Sequence, residues 1–378
     1  MTKWRLALTC VALASGCGGG PSTYSLALAR AGKAERAADF DAARRAYAEA
    51  SERAENDEQA DEANYRAARL QLAERGPLEG AVALERFAAS APNSPRAARA
   101  RLDAARAREH AGDEAGAREA YLRVVREHPT SSGAEAAARR WVALSGQEPE
   151  AAWARLLAEN RAAELAPLLH YEHAKALEPQ SPRQAVLEYE KTAELDPLPQ
   201  GRYADEALLA SARLRRREGD QTGALQTLDL LLRARDTSFL AGSYERAAYA
   251  EARWLSGLIL RDDLARYDEA AQAFGRVVSD HPTSRRVDDA LFDQAIAHAL
   301  AHHPERACTS LRSLAETRPD SRFASCAPLF CPACESEGDA ACQDVDMSPR
   351  CCGALPEEAR PSSCRAPQDE TQESPPDP

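Results

Sequence analysis

The sequence predicts an all-α protein: an α-solenoid of about eight helical hairpins, followed by a small disulfide-rich loop module and a disordered tail. Composition is the first reason. Ala fills 81 of 378 positions while Val and Ile together fill 12, and helices favour Ala, Leu, Glu and Arg where strands favour β-branched residues. The second reason is that only 6% of the chain is aromatic, too little to fill one large core but enough for an array whose core is built hairpin by hairpin. The third is recurrence along the chain. With 48 basic and 60 acidic side chains, net −12, the protein repels nucleic acid on average.

The leader, residues 1 to 16, has a basic start at Lys3 and Arg5, an apolar run from Leu6 to Ala14, and the small residues Ser15 and Gly16 before Cys17. This is the layout of an export signal peptide, and the apolar run is too short to span a bilayer. Ala14-Ser15-Gly16-Cys17 resembles the lipobox of bacterial lipoproteins. The resemblance implies cleavage before Cys17, acylation of its thiol, and a mature chain held in a membrane by lipid. In enteric lipoproteins Asp after the acylated Cys favours the inner membrane. Gly18 stands here, so the outer membrane facing the periplasm is the expected address, with the cell surface also open. Residues 17 to 22, including Gly18, Gly19, Gly20 and Pro21, form a flexible tether.

The body, residues 23 to 322, repeats. Gly112 to Ser131 and Tyr267 to Ser284 both close on Val-Val-x-x-His-Pro-Thr-Ser. Aligning the rest on that Pro gives units ending at Glu55, Pro92, Pro129, Pro167, Pro197, Asp236, Pro282 and Pro319. A small residue then recurs in the second helix (Ala43, Gly80, Ala117, Ala185, Ala224, Ala270, Ala307), with Tyr47, Leu84, Tyr121, Tyr189, Leu228, Phe274 or Leu311 one turn later. In the first helix the small position is Ala31, Ala68, Ala105, Ala143, Ala212 or Ala295. Small residues let two helices approach, and the larger side chain one turn on fills the groove between them. This pattern resembles the tetratricopeptide (TPR) repeat, and the resemblance implies a right-handed TPR-type α-solenoid. Two units depart from it: Glu159 stands at an aromatic position, which marks a degenerate repeat, and Leu258 stands at a small one, with Trp254 and Gly257 shifted as by a one-residue loop insertion. Gly76, Gly112, Gly146 and Gly219 sit where helices should stop, and Ser94-Pro95 and Ser181-Pro182 read as an N-cap followed by Pro.

In TPR arrays the first helices line a face that takes peptides or partner helices. In this register Tyr65, Leu102, Leu209 and Phe292 share one inward position and Arg69, Arg106 and Arg213 another. An apolar row beside guanidinium groups suits a carboxylate-bearing segment; in so Arg-rich a chain the plainer reading of the same Arg is a solvated face. The pairs His170/His173 and His298/His302 have helical spacing but no evident third ligand in sequence, so they read as surface and no metal is expected. His128 and His281 precede a Pro at a helix C-terminus, where the helix dipole favours a partly cationic ring. No phosphate loop, nucleophile elbow or HExxH motif is present, so neither catalysis, a cofactor nor a small-molecule substrate is expected.

The remaining cysteines, Cys308, Cys326, Cys331, Cys334, Cys342, Cys351, Cys352 and Cys364, crowd the C-terminal end. After export an even set argues for disulfides, which would hold residues 323 to 364 as a loop-rich module. Cys331-Pro-Ala-Cys334 also has the spacing of zinc and redox sites. Residues 365 to 378 are acidic and Pro-rich and should be disordered. The whole predicts a non-enzymatic protein-interaction scaffold in the bacterial envelope, binding protein or peptide partners. In build it resembles the TPR lipoprotein of the outer-membrane β-barrel assembly machinery and the Tol-associated periplasmic TPR protein. The alternatives are such an assembly factor, or an envelope redox or metal-handling protein using the Cys-rich module.

Overall fold

The computed structural model describes residues 22–160, 163–238, 246–324, 326 and 357–359. Residues 17–21 of the tether, Cys17 among them, Cys331, Cys334, Cys342, Cys351, Cys352, Cys364 and the acidic tail lie outside the described residues. Ser22, expected in the tether, is instead the N-cap of the first helix, its Oγ accepting from the Ser25 amide at 3.2 Å. Among those described are sixteen α-helices and no strand. They form eight hairpins in two compact units, residues 1–165 and 166–378. The first unit contains α1 (Thr23–Arg36), α2 (Phe40–Glu52), α3 (Asp57–Glu74), α4 (Pro77–Ser90), α5 (Ala97–His110), α6 (Glu114–Glu127), α7 (Ala134–Leu144) and α8 (Pro149–Glu159). The second contains α9 (Ala166–Leu177), α10 (Pro182–Leu195), α11 (Ala204–Arg217), α12 (Gln221–Ser238), α13 (Ala247–Leu258), α14 (Tyr267–Asp280), α15 (Val287–Leu300) and α16 (Pro304–Thr317). Within each unit every helix packs on its neighbours in sequence, which is the stacking a TPR-like solenoid needs because one hairpin alone buries too little.

The small-and-large pattern is the core. Ala43, Ala117, Ala185, Ala224, Ala270 and Ala307 are fully buried, as are Leu84, Leu228, Phe274 and Leu311, and Gly80 lies so close to α3 that a Cβ there would meet the Leu72 backbone at 2.7 Å. One unit was misregistered by its proline. Pro167 does not end a second helix; it lies in the first turn of α9. In α8 the buried small and large positions are Ala152 and Leu156, so this repeat is intact and Glu159 is simply the helix's last residue. Ala143 is correspondingly exposed, while Ala138 and Val142 carry the buried face of α7.

The buried tyrosines add a staple. Tyr47 donates to Glu35 at 2.5 Å, Tyr121 to Glu109 at 2.7 Å and Tyr189 to Glu178 at 2.6 Å. Each joins the second helix of a hairpin to the end of its first, giving the phenol a partner where burial would otherwise leave it unsatisfied. Burial, reinforced by Glu35, pushes the Tyr47 phenol up to about 12. Gly76, Gly112, Gly146 and Gly219 all take positive φ, as helix-stopping residues should. Ser94, however, is not an N-cap. Its Oγ accepts from the Arg96 amide at 3.1 Å in a turn, and α5 begins only at Ala97. Ser181 holds the N-cap position of α10 without a side-chain cap bond.

The extra residue near Leu258 is absorbed inside the helix rather than in a loop. Ile259–Asp263 forms a π-turn continuing α13, the usual way a helix accommodates one inserted residue. Gly257 thereby keeps the small position: a Cβ on it would stand 2.5 Å from the Phe274 ring. After α16 the chain starts another turn of the kind that opens α5 and α15. The Oγ atoms of Ser94, Ser284 and Ser321 each accept from the amide two residues on. Phe323 then stacks on Phe292 with centroids 4.1 Å apart, and the buried Cys326 joins the core formed by Val287, Leu291 and Leu311. Cys308 and Cys326 are both disulfide-bonded. Phe323 and Cys326, expected in the loop module, thus pack on the last hairpin.

Candidate protein-binding groove

In the first unit α3 and α5 lie side by side, and their helical periodicity places charged residues on one shared face. Two adjoining cavities of about 510 and about 600 Å³ share Arg69 and Arg99 in their walls. Five guanidinium groups, from Arg66, Arg69, Arg96, Arg99 and Arg106, meet three carboxylates there, from Glu35, Glu62 and Asp103. The carboxylates are shared. Glu62 takes Arg66 at 2.6 Å and also Arg96; Asp103 takes Arg99 at 3.1 Å, Arg106 at 3.7 Å and the Tyr65 hydroxyl at 2.6 Å; Glu35 takes Arg69 at 3.7 Å. Glu62 and Asp103 are mostly covered, whereas the five guanidinium groups are about half exposed. Donors therefore outnumber acceptors at the open surface. Tyr65, Leu72, Pro77 and Ala107 supply apolar lining.

The second unit repeats the arrangement with a different charge balance. Trp254 donates to Asp293 at 2.7 Å, as Tyr65 does to Asp103, and Glu251 pairs with Arg286 at 2.6 Å, as Glu62 does with Arg96. Arg213 reaches Glu251 at 2.7 Å and Arg261 reaches Asp293 at 2.6 Å. The Arg286 guanidinium lies 4.0 Å over the Trp254 ring and Arg322 pairs with Asp289 at 3.2 Å. Burial pushes the Asp293 carboxyl up, opposed by Arg261. The cavity left here is about 290 Å³, and Phe323 forms part of its wall.

Of the residues singled out from sequence, the structure brings Tyr65, Arg69 and Arg106 to one groove. The apolar row is more covered than an open binding face: Tyr65 is 5% exposed, Leu102 3%, Leu209 6% and Phe292 3%. Leu102 lies beneath Gly133, Leu209 packs with Ala212 and Leu228, and Phe292 lies beneath Phe323. Arg213 belongs to the second unit's network. Sequence reasoning missed Glu62, Arg66, Arg96, Arg99 and Asp103, although Arg66/Arg69 and Arg96/Arg99 carry the three-residue spacing that puts two side chains on one helix face.

The histidine readings change. His170 and His173 are partly buried, and Glu188 of α10 comes to both, at 2.5 Å and 3.5 Å. Hydrogen bonds from His170 and then His173 hold its carboxyl down to about 2. Burial, helped by Arg101, holds the His128 pKa below the ordinary imidazole value, the opposite direction to the helix-terminus effect. Burial lowers the His298 pKa as well. Among the described residues no group of three or more His, Cys, Asp or Glu could hold a metal, and no helix is long and apolar enough to cross a membrane.

The repeats define the class: a family model described as a tetratricopeptide repeat matches residues 99–131 and 251–284. These are the two segments that close on Val-Val-x-x-His-Pro-Thr-Ser, so the chain is similar to TPR repeat proteins there. No curated protein matches the chain. Among solved structures it is similar to the C-terminal part of a TPR repeat-containing protein from Cytophaga hutchinsonii, at 14% identity and a TM-score of 0.40, covering 69% of this chain and 98% of that one. A tetratricopeptide repeat protein from Parabacteroides merdae gives 13% identity and a TM-score of 0.28, covering 72% and 98%. The TPR domain of P58(IPK) gives 18% and 0.25, covering 82% and 88%.

Proposed function

We propose that this protein is a non-enzymatic interaction scaffold, held by lipid on Cys17 at the bacterial outer membrane, facing the periplasm and acting as an adaptor in an envelope complex. The observation that carries the scaffold reading is the α3–α5 groove, where half-exposed guanidinium groups outnumber carboxylates in a chain that is acidic overall. The leader and Ala14-Ser15-Gly16-Cys17 support the anchor. A photo-crosslinking residue at Ser132, which lines the groove, should capture a protein partner in intact cells. The same residue at Arg86, on the exposed side of α4, should capture little. Cys17→Ser should abolish palmitate labelling and release the chain from the membrane fraction; unchanged fractionation would defeat the anchor.

One alternative keeps a specific motif behind it, the CxxC spacing of Cys331 and Cys334, which suits redox or metal handling. The bonded state of Cys308 and Cys326 supports structural disulfides instead. Thiol titration with metal analysis on the mature protein separates the two: blocked sulfurs without metal favour the scaffold, free thiols or bound zinc the alternative.

A further inference from the structure

We infer that the α3–α5 groove binds an extended acidic segment of a protein partner, whose carboxylates fall at every second residue. The inference rests on the scaffold reading and adds to it the chemistry of the occupant. Three features of the groove select that occupant.

The first is charge. Every carboxylate in the groove is already engaged, and Glu62 and Asp103 are each divided between two guanidinium groups. Each Arg offers five N–H donors in a planar fork, so half-exposed Arg side chains sharing three carboxylates retain donors for an incoming anion. A carboxylate can be held by two parallel hydrogen bonds from one such fork. A basic or neutral segment gains nothing comparable and must displace the resident pairs.

The second is spacing. Arg66 and Arg69 on α3, and Arg96 and Arg99 at the start of α5, are three residues apart, which sets their Cβ atoms about 5–6 Å from one another. An extended chain places alternate side chains on one face, about 6.5–7 Å apart. Long Arg side chains span that difference, so carboxylates at i and i+2 meet successive guanidinium groups. The third is length: the two cavities share Arg69 and Arg99 in their walls, and Leu72, Pro77 and Ala107 line the second. A single small acid would fill only part of such a trough. The equivalent place in the second unit differs, since its four guanidinium groups meet four carboxylates, Glu251, Asp262, Asp289 and Asp293, and the cavity is half the size.

The test is fluorescence anisotropy of a short labelled peptide alternating Glu and Ala, titrated with the full chain, beside its Gln-Ala counterpart. The Glu peptide should bind at low salt and weaken as salt rises, and the Gln peptide should bind about tenfold more weakly or not at all. Arg69→Ala with Arg99→Ala should weaken the Glu peptide about tenfold, with unchanged circular dichroism. Arg69→Lys with Arg99→Lys, which keeps charge but loses the fork, should fall between. Equal binding of both peptides, no binding of either, or an unaffected Ala double variant overturns the inference. Crosslinking from Ser132 in cells separates this from the scaffold reading. If adducts form there equally with and without Arg69 and Arg99, the acidic segment is wrong and the scaffold stands. If none forms even in the wild type, the scaffold itself fails.

Discussion

Single side chains decide how closely each hairpin shuts. Tyr121 fills the groove beside Ala117, and its hydroxyl ends on Glu109, which also holds Arg140 of α7. Tyr121→Phe keeps the ring and removes the bond, so it should cost about 1 kcal/mol, read as a lower urea midpoint. Gly257→Ala acts through space. The new methyl would stand 2.5 Å from the Phe274 ring, which is fully buried and cannot retreat. Overpacking of this kind costs about 1–3 kcal/mol, to be measured the same way. Gly112→Ala has open space around it, and its cost would come from a φ of +78° instead. Glu188 gives the pH dependence. Its folded carboxyl is held near 2, against an ordinary 4.5. That depression stabilises the fold above the ordinary value and is lost as pH falls from about 4.5 towards 2. Glu188→Gln should therefore flatten the acid limb of stability, followed by urea midpoints at falling pH. Glu188 was not legible as a partner of His170 and His173, because it comes from the next helix and only folding brings it there.

At the scale of elements, the repeat was legible wherever its spacing was regular. The proline that should close the fourth unit misled because a Pro after a helix and a Pro in the first turn of the next look alike in sequence; the structure assigns Pro167 to the latter. The insertion near Leu258 was visible as a count, but whether a loop or a helix takes up an extra residue depends on what must stay buried. Here Gly257 stays under Phe274 and Arg261 turns inward to Asp293, so the helix widens. The turn at Ser321 repeats those that open α5 and α15, and it lays Phe323 over Phe292. Phe323→Ala should remove that cover. Faster hydrogen exchange is then expected in α15 and α16, with α9 and α10 unchanged, since repeats are stabilised chiefly by their nearest neighbours.

At the scale of the molecule, the chain is acidic in sum and locally basic in one groove. Net charge could not reveal this, because guanidinium groups from α3 and α5 gather only when the two helices lie side by side. The first unit has its own buried core from Tyr24 to Leu165. Residues 22–165 expressed alone should keep their helicity by circular dichroism; a largely unfolded fragment would show that its core is incomplete.

Ala content, the periodic small residues and the Gly and Pro punctuation determined by themselves that this protein is a set of helical hairpins, because backbone propensity and close helix approach are local properties. Which carboxylate meets which guanidinium, which way burial shifts a histidine's pKa, and which apolar residue lies under its neighbour were decided only by tertiary structure. Those outcomes depend on side chains from different hairpins arriving at one place, and on how much water each keeps when it gets there.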